Sequence, residues 1–252
     1  MVHFVGAGCG AADLITLRGK RLIENADVVI YAGSLVSAEL LDYAKKDCKI
    51  HNSAYMTLDE VIAVMQKAES EGKDTVRLHT GDPGIFGAIR EQIDRLEALG
   101  ISCDVCPGVS SFCGAAAALR AEYTLPGVSQ TVILTRMEGR TPVPPSESIE
   151  SLSAHRASMV IFLSTGMLKE LSERLIKGGW QPDSPAAIVC KATWADEKVC
   201  RCTVSALAET AEKNGITKTA LILVGDFLDS NYELSRLYDP AFETGYRKAK
   251  EK

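Results

Sequence analysis

The sequence lacks both an apolar run long enough to cross a bilayer and a block of basic residues. Its longest hydrophobic stretches have the length of β-strands, whereas a transmembrane helix needs about 20 apolar residues. The net charge is −5, and nucleic-acid binding requires a basic surface that neutralises phosphates. The first residues carry no basic lead and no small-residue cleavage site. We therefore expect a cytoplasmic protein with no nucleic-acid or membrane partner.

The eight cysteines do not indicate a disulfide framework. The chain has 252 residues, 46% of them hydrophobic, which is enough to build a core without cross-links. Cys103-x-x-Cys106 is compatible with a zinc or redox pair, but a structural zinc site needs a second pair, and Cys200-x-Cys202 has poor spacing. Because both pairs lie in strand-like runs, where cysteine packs as a small hydrophobe, we predict no metal site.

Strand-like runs alternate with helix-like periodicity along most of the chain. This alternation is typical of α/β proteins with mainly parallel sheets. Pro126-Gly127 interrupts the pattern, which predicts two α/β domains, residues 1–125 and 126–252. Helices are predicted over residues 13–25, 36–46 and 85–99, and Thr57 with Glu60 predicts a capping box at the start of another helix.

Two glycine-bearing turns are the most informative feature. Gly6-Ala7-Gly8-Cys9-Gly10 follows the first strand-like run, and Thr80-Gly81-Asp82-Pro83-Gly84 follows the third. In an open α/β sheet, ligands bind at the carboxyl ends of the strands. We therefore expect both turns to line one ligand site.

The first turn formally fits a dinucleotide fingerprint through Gly6, Gly8 and Ala11. That fingerprint also needs an acidic residue at the end of the second strand, to hold ribose hydroxyls. Here the strand ends in Tyr31-Ala32-Gly33-Ser34, with no acid. A nicotinamide-dependent oxidoreductase is therefore disfavoured, while a tight turn without a ligand remains an alternative.

The second turn carries more chemistry. Asp82 is interpreted either as a cofactor ligand or as a turn-forming residue, and Ile85 and Phe86 offer apolar surface to a flat ring. Ser110 and Ser111 follow a third strand-to-helix turn, where they cap a helix, bind a ligand, or both. No nucleophilic triad is evident, so no catalytic residue is assigned.

Longer stretches of the sequence resemble a known family. Three stretches resemble the tetrapyrrole methylases. They are the first turn together with Asp13-Leu14-Ile15-Thr16-Leu17, the run Thr80-Gly81-Asp82-Pro83, and the run Pro107-Gly108-Val109-Ser110-Ser111. The resemblance implies a two-domain α/β enzyme that transfers a methyl group from S-adenosylmethionine, with the cofactor between the domains. Residues 27–36 and 125–136 resemble the branch that methylates precorrin-4 at C11 in cobalamin biosynthesis.

The resemblance also implies site residues and an oligomeric state. The expected cofactor-binding residues are Cys9, Thr80, Gly81, Asp82, Ile85, Phe86, Ser110, Ser111, Leu163, Ala192, Thr219 and Ala220. The expected tetrapyrrole-binding residues are Gly8 and Gly10 of the first turn, His79, which adjoins the second turn, and Arg18, Arg90, Arg120 and Arg136. The arginines are candidates because arginine pairs well with carboxylates, and simple surface solvation is the alternative for each. A homodimer is expected on the same basis.

Some alternatives stay open. Cys9 and Ala11-Ala12 replace proline and an acidic-proline pair that are usual in the family, so a non-catalytic tetrapyrrole-binding protein is compatible with the sequence. A methyltransferase of the same fold that acts on RNA or protein is a further alternative, disfavoured by the acidic charge balance. Whether the substrate contains cobalt is left open.

Overall fold

The chain forms two α/β units. The computed structural model describes residues 1–229 and 231–249, and of Ser34 it describes the backbone alone. One unit comprises Met1–Leu119 and Cys190–Lys198, and the other comprises Arg120–Val189 and Val199–Lys252. The predicted α/β class with mainly parallel sheets is confirmed.

The first unit is built on a five-stranded sheet in which every strand pairing is parallel. The strand order is β3-β2-β4-β1-β5. The strands are β1 (Val2–Gly6), β2 (Val28–Tyr31), β3 (Lys49–Asn52), β4 (Thr75–His79) and β5 (Cys103–Cys106). The helices are α1 (Leu17–Asn25), α2 (Leu58–Ser70), α3 (Arg90–Ala98) and α4 (Ser111–Leu119). All five strands therefore end at the same edge of the sheet.

Both faces of this sheet are covered by apolar side chains. Val5, Val29 and Leu78 belong to the core cluster on one side. Phe4 and Ile30 belong to the cluster on the other side, which includes residues of α2 and α3. Side chains alternate between the faces of a strand, and Val76 and Leu78 occupy the first cluster. Arg77 and His79 consequently face the opposite side.

The second unit contains a mixed sheet of order β6-β7-β10-β8-β9. β6 and β7 are parallel, and β7 and β10 are antiparallel. The strands are β6 (Val132–Arg136), β7 (Ser158–Phe162), β8 (Pro185–Cys190), β9 (Lys198–Thr203) and β10 (Ala220–Val224). The helices are α5 (Ile149–Ser153), α6 (Leu168–Lys177) and α7 (Leu207–Lys213).

Three helix predictions need correction. α1 begins at Leu17 with Thr16 as its N-cap, not at residue 13. In place of a helix over residues 36–46 there is a short 3-10 helix, Ala38–Tyr43. α3 begins at Arg90, not at residue 85, because Phe86 and Ala88 have φ angles of 54° and 49°, which lie outside the right-handed helical region.

Neither a membrane-spanning helix nor a metal-ligand cluster occurs in the described part of the chain. Across residues 1–229 and 231–249, no helix combines the length and apolar character needed to cross a bilayer. In the same part of the chain, no group of three or more His, Cys, Asp or Glu side chains is arranged to hold a metal ion. All eight cysteines are free thiols.

The predicted capping box at α2 is confirmed and can be tested. Thr57 Oγ1 accepts from the Glu60 backbone N–H at 3.3 Å, and Glu60 Oε2 accepts from the Thr57 N–H at 2.7 Å. Thr57→Ala should lower the free energy of unfolding by about 1 kcal/mol, because a capping acceptor is lost. Urea denaturation would measure the change. Thr57→Ser keeps the hydroxyl and should stay near wild type; equal losses in both variants would contradict the capping role.

Candidate functional site

The two glycine turns of the first unit meet, as the sequence predicts. Gly8 and Gly81 form an isolated antiparallel bridge. The Gly8 N–H donates to the Gly81 carbonyl at 3.2 Å, and the Gly81 N–H donates to the Gly8 carbonyl at 2.9 Å. The ends of β1 and β4 are thereby joined beyond the sheet, which places the backbone of both turns at one location.

Three glycines at the ends of β1, β4 and β5 approach one another without side chains. A Cβ atom added to Gly6 would lie 2.5 Å from Gly108 Cα and 2.7 Å from the Gly81 carbonyl oxygen. A Cβ atom on Gly108 would lie 2.3 Å from that same oxygen. Glycine at positions 6 and 108 is therefore required for so close an approach of the three backbones.

Asp82 organises this region through its carboxylate. Its Oδ1 accepts from the Gly84 N–H at 2.8 Å, and its Oδ2 accepts from the Gly108 N–H at 2.9 Å. The turn-forming role of Asp82 is therefore present. Because each carboxylate oxygen has a further lone pair, the group can also accept from a ligand while it holds both amides.

The segment Cys190–Lys198 belongs to this unit and contacts the first turn. The Ala11 N–H donates to Thr193 Oγ1 at 3.0 Å, and Thr193 Oγ1 donates to Cys9 Sγ at 3.6 Å. A Cβ atom on Gly10 would lie 2.4 Å from the Ala192 carbonyl oxygen. Cys9 and Ala192, which were predicted separately, therefore lie near each other.

Ser110 and Ser111 lie beside the second turn. Ser110 is buried, and its Cα would be 3.4 Å from a Cβ on Gly81. Ser111 is the first residue of α4. The predicted cofactor-binding residues of the first unit that flank the Gly8–Gly81 bridge thus form one group, which contains Cys9, Gly81, Asp82, Ser110, Ser111 and Ala192.

In the second unit, Leu163 and Ala220 lie at facing strand ends. The antiparallel register pairs Ile222 with Ile161, and continuing it places Ala220 opposite Leu163. The Thr165 hydroxyl, two residues after Leu163, donates to the Ala220 carbonyl at 3.2 Å.

Leu163 and Thr219 have unusual backbones. Leu163 has a φ angle of 54° and Thr219 one of 55°. Leu163 is also 67% exposed. Non-glycine residues in this region carry strain that often accompanies a functional role. The same conformation occurs at Phe86, Lys191 and Thr193, all within or next to predicted site residues.

A cavity of about 300 Å³ lies in the first unit, beyond the ends of β2 and β4. The predicted residues His79, Thr80, Ile85 and Phe86 are among those that line it. Burial and the nearby charge of Arg77 lower the pKa of His79 to about 3, so His79 is neutral at pH 7. Its Nε2 is buried without a hydrogen-bond partner among the described residues.

Sequence reasoning missed Arg77, which also lines this cavity. Arg77 is 7% exposed. Its Nε donates to Gln92 Oε1 at 3.1 Å, and its Nη1 donates to the Ile30 carbonyl at 3.2 Å. Burial lowers the pKa of Arg77 to about 10. The signal was in the sequence: a lone charge inside a buried parallel strand is uncommon.

The four arginines predicted to bind carboxylates do not line this cavity. Arg18 is exposed on α1, and Arg90 is exposed and ion-paired with Asp94. Arg120, in the second unit, is exposed with φ 53°. Arg136 donates to three carbonyl oxygens of its own unit, those of Met137, Thr141 and Pro142.

The structure also bears on the dinucleotide interpretation. In a dinucleotide-binding turn, the pyrophosphate sits at the N-terminus of the helix that the glycines open. Here a 3-10 helix, Ala12–Leu14, follows the first turn, and α1 begins only at Leu17. The first turn therefore lacks the helix N-terminus that this interpretation requires.

Comparison with known proteins identifies the family. The model of the tetrapyrrole (corrin/porphyrin) methylases matches residues 1–208, which is most of the chain. The protein belongs to this family of methyltransferases, and the resemblance seen in the sequence is confirmed.

Two methyltransferases are similar to this chain over almost the full length of both proteins. A cobalt-precorrin-4 C(11)-methyltransferase of Methanocaldococcus jannaschii is 53% identical over 100% of this chain and 97% of its own. A precorrin-4 C(11)-methyltransferase of a Sinorhizobium species is 46% identical over 98% of both chains. The X-ray structure of a cobalt precorrin-4 methyltransferase superposes with a TM-score of 0.88 at 46% identity, covering 90% of this chain and 95% of that one.

The close contact among Gly6, Gly81 and Gly108 predicts that adding one methyl group at Gly108 strongly destabilises the protein. Gly108→Ala should lower the free energy of unfolding by at least about 2 kcal/mol, because the new Cβ would overlap the Gly81 carbonyl oxygen. Gly166→Ala is the matched control, since a Cβ there would meet nothing within 4 Å. Chemical denaturation of both variants would measure the difference, and similar stabilities would show that the backbones can separate at little cost.

Proposed function

We propose that the protein transfers a methyl group from S-adenosylmethionine to C11 of precorrin-4, with or without bound cobalt, in cobalamin biosynthesis. The full-length similarity to relatives named for this reaction supports the proposal. The structural observation that carries it is the bridge between Gly8 and Gly81, because it brings both family turns to one place.

The reaction needs positioning more than acid–base chemistry. S-adenosylmethionine supplies a methyl group that is already activated by its sulfonium. Holding two reactants in a productive orientation can lower a barrier by about 7–11 kcal/mol. This requirement fits a site of fixed backbone turns for which no catalytic residue is assigned.

The first unit offers cofactor contacts of two kinds. Around the Gly8–Gly81 bridge, bare backbone and the Ser110 and Ser111 hydroxyls provide polar groups, and Asp82 provides a negative charge. A carboxylate of this kind suits the amine or ribose hydroxyls of the cofactor. Cys9, in the first turn, would also contact the cofactor. So would Ala192, in the segment that Thr193 joins to that turn.

In the second unit we assign cofactor contacts to Leu163, Thr219 and Ala220. Leu163 presents an exposed apolar side chain on strained backbone. An exposed aliphatic side chain of this kind suits the apolar face of a nucleoside base. We assign the acceptor to Gly8, Gly10 and His79 in the first unit. Of the four predicted arginines, Arg18 and Arg120 are exposed and available to its carboxylates, whereas Arg90 pairs with Asp94 and Arg136 donates to three carbonyl oxygens.

A methyl-transfer assay tests the proposed reaction. Purified protein would be incubated anaerobically with methyl-labelled S-adenosylmethionine and either precorrin-4 or its cobalt form. One labelled methyl group per macrocycle is expected, located at C11 by NMR, and the faster form identifies the natural substrate. Absence of label in both tetrapyrroles, with intact protein, would contradict the proposal.

Asp82 gives a separate test of the cofactor site. Asp82→Ala should weaken S-adenosylhomocysteine binding more than tenfold, because it removes a ligand acceptor and frees the Gly84 and Gly108 amides. Titration calorimetry would measure the affinity. Asp104→Ala, at an exposed acid on β5 whose partner is His3, is the control. Equal affinities of the Asp82 variant and wild type would remove Asp82 from the cofactor site.

A further inference from the structure

Arg77 differs from Arg174, a partly buried arginine of the second unit. Arg174 lies within hydrogen-bond distance of the Glu150 carboxylate at 2.9 Å and of Glu138 at 2.9 Å. Hydrogen bonding to Glu150 raises the pKa of Arg174. Burial instead lowers the pKa of Arg77. Arg77 forms no ion pair with any described residue. An arginine buried without a counterion is costly, because its charge loses water and gains no compensating partner.

One of the residues that line the cavity together with Arg77 is small, apolar and uncharged. β2 lies beside β4 in the sheet, with Tyr31 paired to Leu78. The residue after β2 is Ala32, which lines the same cavity as Arg77. The absence of an acid there, noted from the sequence, leaves the positive charge of Arg77 at the cavity uncompensated.

One amino group of the Arg77 guanidinium, Nη2, remains available to a ligand. Nε and Nη1 donate to Gln92 and to the Ile30 carbonyl, and Gln92 is itself held by the Ala88 carbonyl at 3.0 Å. Within the described residues, Nη2 forms no hydrogen bond. The guanidinium is therefore fixed in orientation, with a donor left for a cavity ligand.

We propose that this cavity receives one carboxylate side arm of the tetrapyrrole, bound by the Arg77 guanidinium; this inference rests on the proposed function. Charge-assisted bonds between guanidinium and carboxylate are strong and directional. A volume of about 300 Å³ accommodates an acetate or propionate arm. Arg77 would then set which edge of the macrocycle enters the first unit.

The other polar groups of the cavity agree with an anionic occupant. Glu91 is the acid among the lining residues, and it is exposed at the solvent side. His79 is neutral at pH 7 and adds no second positive charge. The fixed positive charge within the cavity therefore comes from Arg77, and we expect pairing with a single carboxylate.

Arg77→Met tests the assignment by separating substrate binding from the other steps. The variant should raise the KM for precorrin-4 at least tenfold, while kcat and the affinity for S-adenosylhomocysteine change less than threefold. Arg77→Lys keeps the charge but loses the planar fork, so an intermediate KM is expected. Arg95→Met is the control, since Arg95 is exposed on α3 and pairs with Asp59.

The outcomes separate this inference from the proposed function. Wild-type protein that methylates neither form of precorrin-4 would overturn the proposed function. Active wild type together with an Arg77→Met variant whose KM stays within twofold would overturn the carboxylate site alone. If the Arg77→Met variant does not fold, a crystal structure of the wild type with precorrin-4 and S-adenosylhomocysteine tests the carboxylate site instead. A substrate carboxylate about 3 Å from Arg77 supports the site, and carboxylates all lying outside the cavity would refute it.

Discussion

The contact of three backbones at Gly6, Gly81 and Gly108 is the constraint on which the candidate site depends. Each glycine follows or ends a different strand of one parallel sheet. Gly6 and Gly108 have no room for a Cβ atom, and Gly81 has a φ angle of +62°. The contact lets the Gly8–Gly81 bridge form and brings the Gly108 amide within reach of Asp82. Hydrogen bonds from these amides then fix the carboxylate. Polar groups for a ligand are thereby positioned by the sheet itself and not by mobile loops.

Electrostatics divides the first unit into two regions of opposite charge. Around the glycine contact, Asp82 contributes a negative charge whose two oxygens are held by amides. In the cavity, Arg77 contributes a positive charge held by Gln92 and a carbonyl group. A positively charged methyl donor and a polycarboxylate acceptor are attracted to different places by such an arrangement.

Much of this organisation was predictable because it depends on local pattern. The alternation of strand-like and helix-like runs predicted the α/β class. The two glycine turns, each after a strand, predicted that they meet at one place, and Thr57 with Glu60 predicted the N-cap of α2. The start of α3 was not predictable, since helical periodicity at residues 85–89 says nothing of the positive φ angles at Phe86 and Ala88. Arg77 was missed because its role depends on its surroundings in space: Gln92 and the Ile30 carbonyl hold its guanidinium, and it lines the cavity.

The return of Cys190–Lys198 to the first unit has a consequence for the newly made chain. Residues 1–119 contain every strand of the first sheet, so that sheet is able to form early during synthesis. The Thr193 hydroxyl that holds the Ala11 amide is translated more than seventy residues later. The turn at Cys9 consequently reaches its final hydrogen bonding only after most of the second unit has left the ribosome. A chain that stops before residue 190 would carry the first sheet without the Thr193 hydroxyl that accepts from the Ala11 amide.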